Sequence, residues 1–187
     1  MQEAAAQQAQ NQLSAALCDF KCAKDADIET FLHNKATEFE KRGFCTVYLI
    51  LDADAFEMGN ISVQAYFTLS HKSIQIDENV SKTVRKRIAA SKDADITHFV
   101  LIGQLGKYIA ETENGEYYQT EISSTDILDD AFEIIRKANE MIACRGVLVE
   151  CSAEEKIHMV YKNYGFAFLQ YDDPHFQFYK RVPNGLE

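Results

Sequence analysis

Four basic residues, Lys82, Arg85, Lys86 and Arg87, fall close together in the sequence. The segment around them, residues 80–90, has the apolar spacing of a helix. Clustered cations attract phosphate groups, so this helix could carry a phosphate-binding or RNA-binding patch. The alternative is an ordinary solvated helix face, and the sequence leaves both interpretations open.

The cysteines and histidines are the next candidates for chemistry. Cys18, Cys22 and His33 are residue types that bind metals, but no second Cys or His pair has the spacing of zinc ligands. We therefore expect no metal site. Cys151 would act as a nucleophile only beside a positioned His and acid, and without a visible set we expect a buried thiol. The lack of Gly-x-Gly-x-x-Gly and Walker sequences argues against nucleotide-dependent classes.

Composition predicts one ordinary globular domain. The chain has 187 residues, of which 47% are hydrophobic and 26% charged, enough for one domain with a real core. No run of about 18 apolar residues and no signal-peptide pattern is present, so we expect a cytoplasmic protein without a membrane span. The five scattered cysteines suit a reducing cytoplasm.

The charge balance is strongly acidic, with a net charge of −10 and a pI near 5.0. Such a chain repels nucleic acid unless its few basic residues cluster. We therefore expect no general tRNA-binding surface and no nucleic acid among its partners.

The first half of the chain predicts helices around a β-hairpin. Residues 1–16 are rich in Ala and Gln and are expected to be a tail or a helix, followed by a single domain over 17–187. The later elements are a helix, two hairpin strands and a second helix, at residues 28–43, 46–51, 61–70 and 80–90. Asp25 or Asp27 is the expected N-cap of the first helix, and Gly59-Asn60 is the expected hairpin turn.

The second half alternates strands and helices. The elements are a strand, a helix, a strand, a helix and two antiparallel strands, at residues 96–105, 125–142, 146–151, 157–164, 167–171 and 175–181. The first strand is nearly all apolar, as expected of a central strand, and a polar loop follows it. The predicted fold class is α/β, a central mixed β-sheet with helices on both faces.

Four short motifs occur in the order and spacing of a known superfamily. They are Ala-Tyr-Phe-Thr-Leu-Ser at 65–70, Leu-Ile-Gly-Gln-Leu-Gly-Lys at 101–107, Arg-Gly-Val-Leu-Val at 145–149, and Val-Tyr-Lys-Asn-Tyr-Gly-Phe at 160–166. Over residues 20–182 the chain resembles the GNAT superfamily of N-acetyltransferases, nearest to the bacterial branch that includes the toxins of toxin–antitoxin pairs. The resemblance implies the acyl-CoA N-acyltransferase fold, although a fold alone does not settle a function.

The resemblance also implies acetyl-CoA as a co-substrate. In the family the pantetheine arm bonds to backbone groups of a central strand, where this chain has Leu105, Gly106 and Lys107. Gly106 either permits a close approach there or only ends the strand. The pyrophosphate normally lies at the start of the following helix, where free N–H groups and the helix dipole hold anions. The matching residues here are Ser123, Ser124 and Thr125.

This pyrophosphate loop departs from the family pattern, Gln/Arg-x-x-Gly-x-Gly/Ala. Ser123 and Thr125 replace the two glycines, and Thr120 replaces the leading residue. Ser and Thr hydroxyls can cap a helix and still bond phosphate. Acidic residues around the loop would repel a pyrophosphate. They are Glu121, Asp126, Asp129, Asp130 and Glu133.

Tyr161 is the candidate catalytic residue that the resemblance implies. In the matching family position a Tyr hydroxyl protonates the departing CoA thiolate, and a phenol of pKa about 10 can serve a thiolate of pKa about 8.5. The alternative is a Tyr on the apolar stripe of its helix. The general base stays open among His71, His98, Glu150 and water.

Three functions follow. The first is transfer of an acetyl group from CoA to a primary amine of a small molecule or protein. The second is a catalytically silent GNAT-fold binding module, which the altered loop favours. The third is a bacterial toxin acting on aminoacyl-tRNA, against which the acidic charge and Gln104, in place of an Arg common in the toxin branch, both argue. No membrane partner is expected, and a homodimer is left open.

Overall fold

The computed structural model describes residues 2–182, which form seven helices and eight strands. The first elements are α1 (Gln2–Asp19), α2 (Ala26–Asn34), α3 (Ala36–Lys41), β1 (Thr46–Leu51), α4 (Ala53–Glu57), β2 (Val63–Gln75) and α5 (Lys82–Ala89). The remaining elements are β3 (Ile96–Lys107), β4 (Ile109–Glu111), β5 (Tyr117–Gln119), α6 (Ser124–Met141), β6 (Gly146–Cys151), α7 (Glu155–Asn163), β7 (Ala167–Asp172) and β8 (His175–Arg181).

Six strands form one mixed sheet in the order β1-β2-β3-β6-β8-β7, and β4 pairs with β5 in a separate hairpin. β3 and β6 are parallel, with Val100 opposite Val147 and Ile102 opposite Val149. β8 pairs antiparallel with both β6 and β7. This architecture confirms the predicted fold class, an α/β fold built on a central mixed sheet.

Contacts divide the chain into two units, and the first comprises Met1–Thr68 and Gln104–Ile127. Its hydrophobic core brings α1, α2, α3 and β2 together around Phe20 and Tyr66, which are almost fully buried. The Tyr66 hydroxyl donates to the carbonyl of Ile28 at 2.7 Å. The one polar atom of this large core side chain is therefore satisfied inside the protein.

The second unit comprises Leu69–Gly103 and Leu128–Glu187. Its core packs α5 against buried side chains of the sheet strands in this unit. The main members are Ile74, Ile88, Phe99, Leu148, Leu169 and Tyr179. A separate aromatic group includes Tyr161 of α7, Phe166 and Phe178 of β8.

Helix α1 contains residues 2–16 of the Ala/Gln-rich segment, for which the sequence predicts a tail or a helix. The helix extends to Asp19, Ala16 is buried, and Leu17 packs against the core of the first unit. The division into a segment 1–16 and a single domain 17–187 stays a prediction, and its residues 1 and 183–187 lie outside the described part. Within residues 2–182, no helix is both long and apolar enough to cross a membrane.

The structure differs from the prediction in three connections. The helix expected to run to Gly43 is broken into α2 and α3 at Lys35, whose φ of −122° is not helical. The expected turn after β1 contains α4, because the Asp52 carboxylate accepts the Ala55 N–H at 2.8 Å and caps a helix there. The expected polar loop after β3 contains the β4–β5 hairpin.

Candidate active site

Helix α7 places Tyr161 in the aromatic group of the second unit. The chain leaves this helix at Gly165, whose φ of +96° favours a residue without a Cβ. The Phe166 N–H then donates to the Tyr161 carbonyl at 3.0 Å, and the two rings lie 5.6 Å apart between centroids. Phe178 lies 6.5 Å from Tyr161 in the same measure. These contacts hold Tyr161 at 9% exposure.

Burial raises the pKa of the Tyr161 hydroxyl well above that of a free phenol, and the Cys151 thiol adds to the shift. The cause is that removal from water disfavours the charged phenolate. Tyr161 therefore keeps its proton over the physiological pH range. It can donate a hydrogen bond, but it is a weaker acid than an exposed tyrosine.

The predicted pantetheine segment, Leu105, Gly106 and Lys107, forms the last residues of β3. A Cβ on Gly106 would lie 2.4 Å from Ile28 Cγ2 and 2.9 Å from Tyr66 Cε1. The lack of a Cβ on Gly106 therefore makes room for the side chains of Ile28 and Tyr66, which belong to the same unit. Gly106 does not end the strand, because β3 continues to Lys107.

The predicted pyrophosphate loop forms a capping box at the start of α6. The Asp126 N–H donates to Ser123 Oγ at 3.2 Å, and the Ser123 N–H donates to the Asp126 carboxylate at 2.8 Å. These hydrogen bonds with Ser123 lower the pKa of Asp126. Ser124 and Thr125 follow as the first helical residues. The Asp126 carboxylate thus accepts a hydrogen bond from the Ser123 N–H, in the segment where we predicted that a phosphate binds.

Thr120 joins this loop to the end of β3. Its N–H donates to the carbonyl of Tyr108 at 3.1 Å, and its hydroxyl accepts the Ile122 N–H at 3.3 Å. Because Tyr108 directly follows Lys107, the two predicted cofactor-binding segments meet within the first unit. The buried Thr120 has a structural role where the family pattern has Gln or Arg.

Several acidic residues of this region bond to the protein itself. Asp129 accepts the Tyr164 hydroxyl at 2.6 Å within the second unit. Glu133 Oε1 lies 2.6 Å from Nζ of Lys137, which is one helical turn later in α6. These carboxylates therefore have structural partners in addition to any effect on a nearby phosphate.

Three of the four clustered cations line a groove of about 530 Å³ in the second unit. The charged residues of this groove are Lys82, Lys86, Arg87, Lys92, Arg145 and Arg181. The fourth clustered residue, Arg85, has a different role. Its guanidinium donates to the carbonyls of Val80, Ala94 and Asp77 at 3.0, 2.8 and 2.7 Å, which ties the chain around α5 together.

Solved structures of the toxin AtaT and of KacT have the same fold as this chain. AtaT complexed with acetyl-methionyl-tRNAfMet superposes with a TM-score of 0.67 at 19% identity, covering 88% of this chain and 86% of that one. AtaTR bound with acetyl-CoA gives 0.64 at 19% identity, with coverage of 88% and 86%. A Tyr-to-Phe mutant of KacT gives 0.66 at 18% identity, also with 88% and 86%.

The chain has the GNAT fold. Comparisons with protein-family models and with curated protein sequences find no match. The superpositions establish the architecture. Because the sequence identities are below one fifth, the chemistry has to be argued from the residues of this chain.

The three candidate bases of this GNAT-fold protein have different surroundings. Glu150 lies 2.6 Å from Lys72 Nζ and accepts the side-chain amide of Gln177 at 2.7 Å. His98 Nδ1 lies 2.7 Å from the Ser73 hydroxyl. His71 is exposed. Glu150 is thus anchored by a cation and an amide, a network that the strand pattern alone did not indicate.

The surroundings of the cysteines do not support a nucleophilic role for Cys151 or metal binding by Cys18, Cys22 and His33. Burial raises the pKa of the Cys151 thiol to about 11, so the nucleophilic thiolate is scarce at neutral pH. His33 Nε2 bonds to the carbonyl of Phe20 at 2.8 Å. Cys18 is exposed, whereas Cys22 is buried.

The groove contains three cations outside the cluster that the sequence shows, Lys92, Arg145 and Arg181. They come from separate segments, and only Arg145 lay in a motif that had been singled out. The groove also corrects the charge argument, because a net charge of −10 describes the whole chain and hides a basic face.

Proposed function

We propose that this protein transfers an acetyl group from acetyl-CoA to the amino group of an aminoacyl-tRNA. The observation that carries the proposal is its structural likeness to toxins solved with acetyl-CoA and with an acetylated aminoacyl-tRNA. Two features of the chain agree with it. Tyr161 keeps its proton, and a basic groove lies in the second unit.

The chemistry requires a C–N bond to form and the C–S bond of the thioester to break. The amine loses a proton to water, and the CoA sulfur gains one. In this proposal Tyr161 holds the proton that the departing sulfur needs. Its raised pKa suits a hydrogen bond to the thiolate better than complete ionisation of the phenol.

The residues of the first unit are compatible with acetyl-CoA. The proposed pantetheine site is the backbone of Leu105, Gly106 and Lys107, whose contribution does not depend on side-chain identity. The proposed pyrophosphate site is the start of the 18-residue helix α6, at Ser123, Ser124 and Thr125. Here the Asp126 carboxylate must leave the Ser123 N–H before a phosphate oxygen can take its place.

A second candidate function is a catalytically silent GNAT-fold binding module. The capping box of Ser123 and Asp126 favours it, because the helix start is already satisfied by the protein. Calorimetric titration with acetyl-CoA separates the two candidates. Micromolar binding supports the enzyme, and a lack of binding at millimolar acetyl-CoA supports the silent module.

The acceptor is tested with acetyl-CoA carrying a radioactive acetyl group. A mixture of charged tRNAs, the same tRNAs without amino acid, free amino acids and a lysine-rich protein are offered separately. We expect label only on charged tRNA, released as an N-acetyl amino acid after mild alkaline hydrolysis. If the label appears on the free amino acids or on the lysine-rich protein, but not on charged tRNA, the proposal is replaced by a general amine acetyltransferase.

A further inference from the structure

Helix α5 presents a cationic face because its opposite face is anchored in the core. The Ser81 hydroxyl accepts the Val84 N–H at 3.3 Å and caps the helix. Ile88 is 1% exposed in the core of the second unit, and Val84 packs against the same core. With these two residues inward, the helical period leaves Lys82, Lys86 and Arg87 exposed.

The sheet supplies two arginines to the same groove. Arg145 immediately precedes β6 and Arg181 ends β8, and the antiparallel register places Gly146 opposite Arg181. The Val182 N–H also donates to the carbonyl of Arg145 at 3.3 Å. The backbone therefore fixes these two arginines next to each other.

Lys92 reaches the groove through a tight turn at the end of α5. Ala90 adopts a φ of +62°, the left-handed conformation that reverses the chain after the helix. The Ser91 hydroxyl then accepts the Asp93 N–H at 3.2 Å and stabilises the turn. An unusual backbone conformation thus holds a further cation beside α5.

The charge of this groove is of one sign. Six of its lining residues are cationic and the seventh is Thr83, although acidic residues outnumber basic ones in the chain by 29 to 19. Within the part of the chain that the structure describes, Lys82, Lys86, Arg87 and Lys92 form no ion pair. Like charges one helical turn apart repel each other, so a polyanion would relieve this repulsion.

We propose that this groove binds backbone phosphates of RNA and holds the acceptor tRNA on the protein, an inference that rests on the proposed function. The cations come from a helix, a turn and two strand ends, and all of them line one groove. Six cations in one groove suit the repeated charges of a nucleic acid backbone better than the charge of a single phosphate. Phosphate contacts position the RNA without reading its sequence.

The test measures binding of a fluorescently labelled tRNA transcript without amino acid, by anisotropy, between 50 and about 300 mM KCl. The test variant is Lys82→Gln/Lys86→Gln/Arg87→Gln. The matched control, Lys35→Gln/Lys41→Gln/Lys156→Gln, removes the same charge from exposed positions elsewhere. Both variants keep the apolar residues that fold the chain, and circular dichroism with thermal melting checks this.

We expect the test variant to bind tRNA at least 30-fold more weakly at about 100 mM salt. The slope of log affinity against log salt should also become less steep by about 2 to 3, because each lost phosphate contact reduces it by about 0.9. The control should lose less than threefold. The groove is overturned as an RNA site if the two variants lose tRNA affinity equally, or if the test variant loses none. It is also overturned if the wild-type protein binds vesicles rich in anionic lipid in preference to tRNA.

The outcome for the groove is separable from that for the reaction. Transfer of acetyl to charged tRNA with an unchanged KM for tRNA in the test variant would refute the groove and leave the proposed function intact. Groove-dependent tRNA binding by a protein that never takes up acetyl-CoA would refute the proposed reaction and retain the RNA site.

Discussion

Replacing Gly106 by Ala tests whether this glycine is needed for packing. The added Cβ would lie 2.4 Å from Ile28 Cγ2 and 2.9 Å from Tyr66 Cε1, whereas carbon atoms in contact normally lie about 3.5–4.0 Å apart. More than an ångström of overlap must be absorbed by Ile28 or by the β3 backbone. Overpacking of a core costs about 1–3 kcal/mol, and two simultaneous clashes place Gly106→Ala near 3 kcal/mol.

Urea unfolding followed by circular dichroism measures this loss, and Ile28→Ala provides the second arm of a double-mutant cycle. Removing Cγ2 of Ile28 removes the shorter clash, so the double variant should be more stable than the sum of the single changes by at least about 1 kcal/mol. Gly106→Ala within about 0.5 kcal/mol of wild type would refute the packing argument.

The same variants examine the proposed pantetheine site. If acetyl-CoA binds the backbone of residues 105–107, Gly106→Ala should weaken acetyl-CoA binding about tenfold or more by displacing the strand end. The double variant should recover most of this affinity, because it relieves the displacement. Unchanged calorimetric affinity in a destabilised Gly106→Ala protein would place the co-substrate elsewhere.

The remaining predictions concern three other residues. Tyr161→Phe should lower kcat for acetyl transfer by about 10²–10⁴ with acetyl-CoA affinity unchanged, whereas Tyr164→Phe, which loses a hydrogen bond to Asp129, should cost about 1 kcal/mol in urea unfolding and leave kcat within twofold. Because burial raises the pKa of Tyr161, the unfolded chain ionises first above pH 10 and stability falls as pH rises; Tyr161→Phe should reduce that fall by up to about 1.4 kcal/mol per pH unit in alkaline urea titrations. For the same reason kcat should show no loss from Tyr161 ionisation below pH 10, and a limb near pH 8 that disappears in Tyr161→Phe would contradict the burial argument. Ala90→Gly should stabilise the protein by about 0.5–1 kcal/mol in thermal melts by releasing the positive φ, and a destabilised variant would show that Ala90 is not strained.

The elements predicted most closely are those with a continuous hydrophobic signal. β1, β6 and β8 begin and end where the sequence predicts, because short apolar runs lie between clear breaks. Short elements held by single side-chain contacts were missed. α4 depends on the Asp52 cap, and the β4–β5 hairpin has exposed tyrosines in place of an alternating pattern.

The candidate site was harder to predict because its details depend on distant residues. The packing role of Gly106 could not be predicted, because the side chains that meet it, Ile28 and Tyr66, come from positions far earlier in the chain. The capping box is local, and the pair Ser123 and Asp126 does match the Ser-x-x-acid pattern of a helix start. That pattern predicts a helix start whose N–H groups already have partners in the protein, whereas a Ser or Thr cap alone would still leave N–H groups for a phosphate.

Net charge is a poor guide to partners in a chain of this kind, because electrostatic attraction depends on the field at one face. With a Debye length of about 8 Å at physiological salt, acidic residues farther away than that are largely screened from a ligand in the groove. The cations that line the groove therefore act on a phosphate mainly with the few acidic residues next to them, such as Asp93, while acidic residues farther away repel RNA from other faces. An acidic protein with one basic groove should consequently bind RNA in fewer orientations than a uniformly basic one. The acidic residues then restrict where RNA binds and do not prevent binding, which reverses the inference first drawn from the net charge.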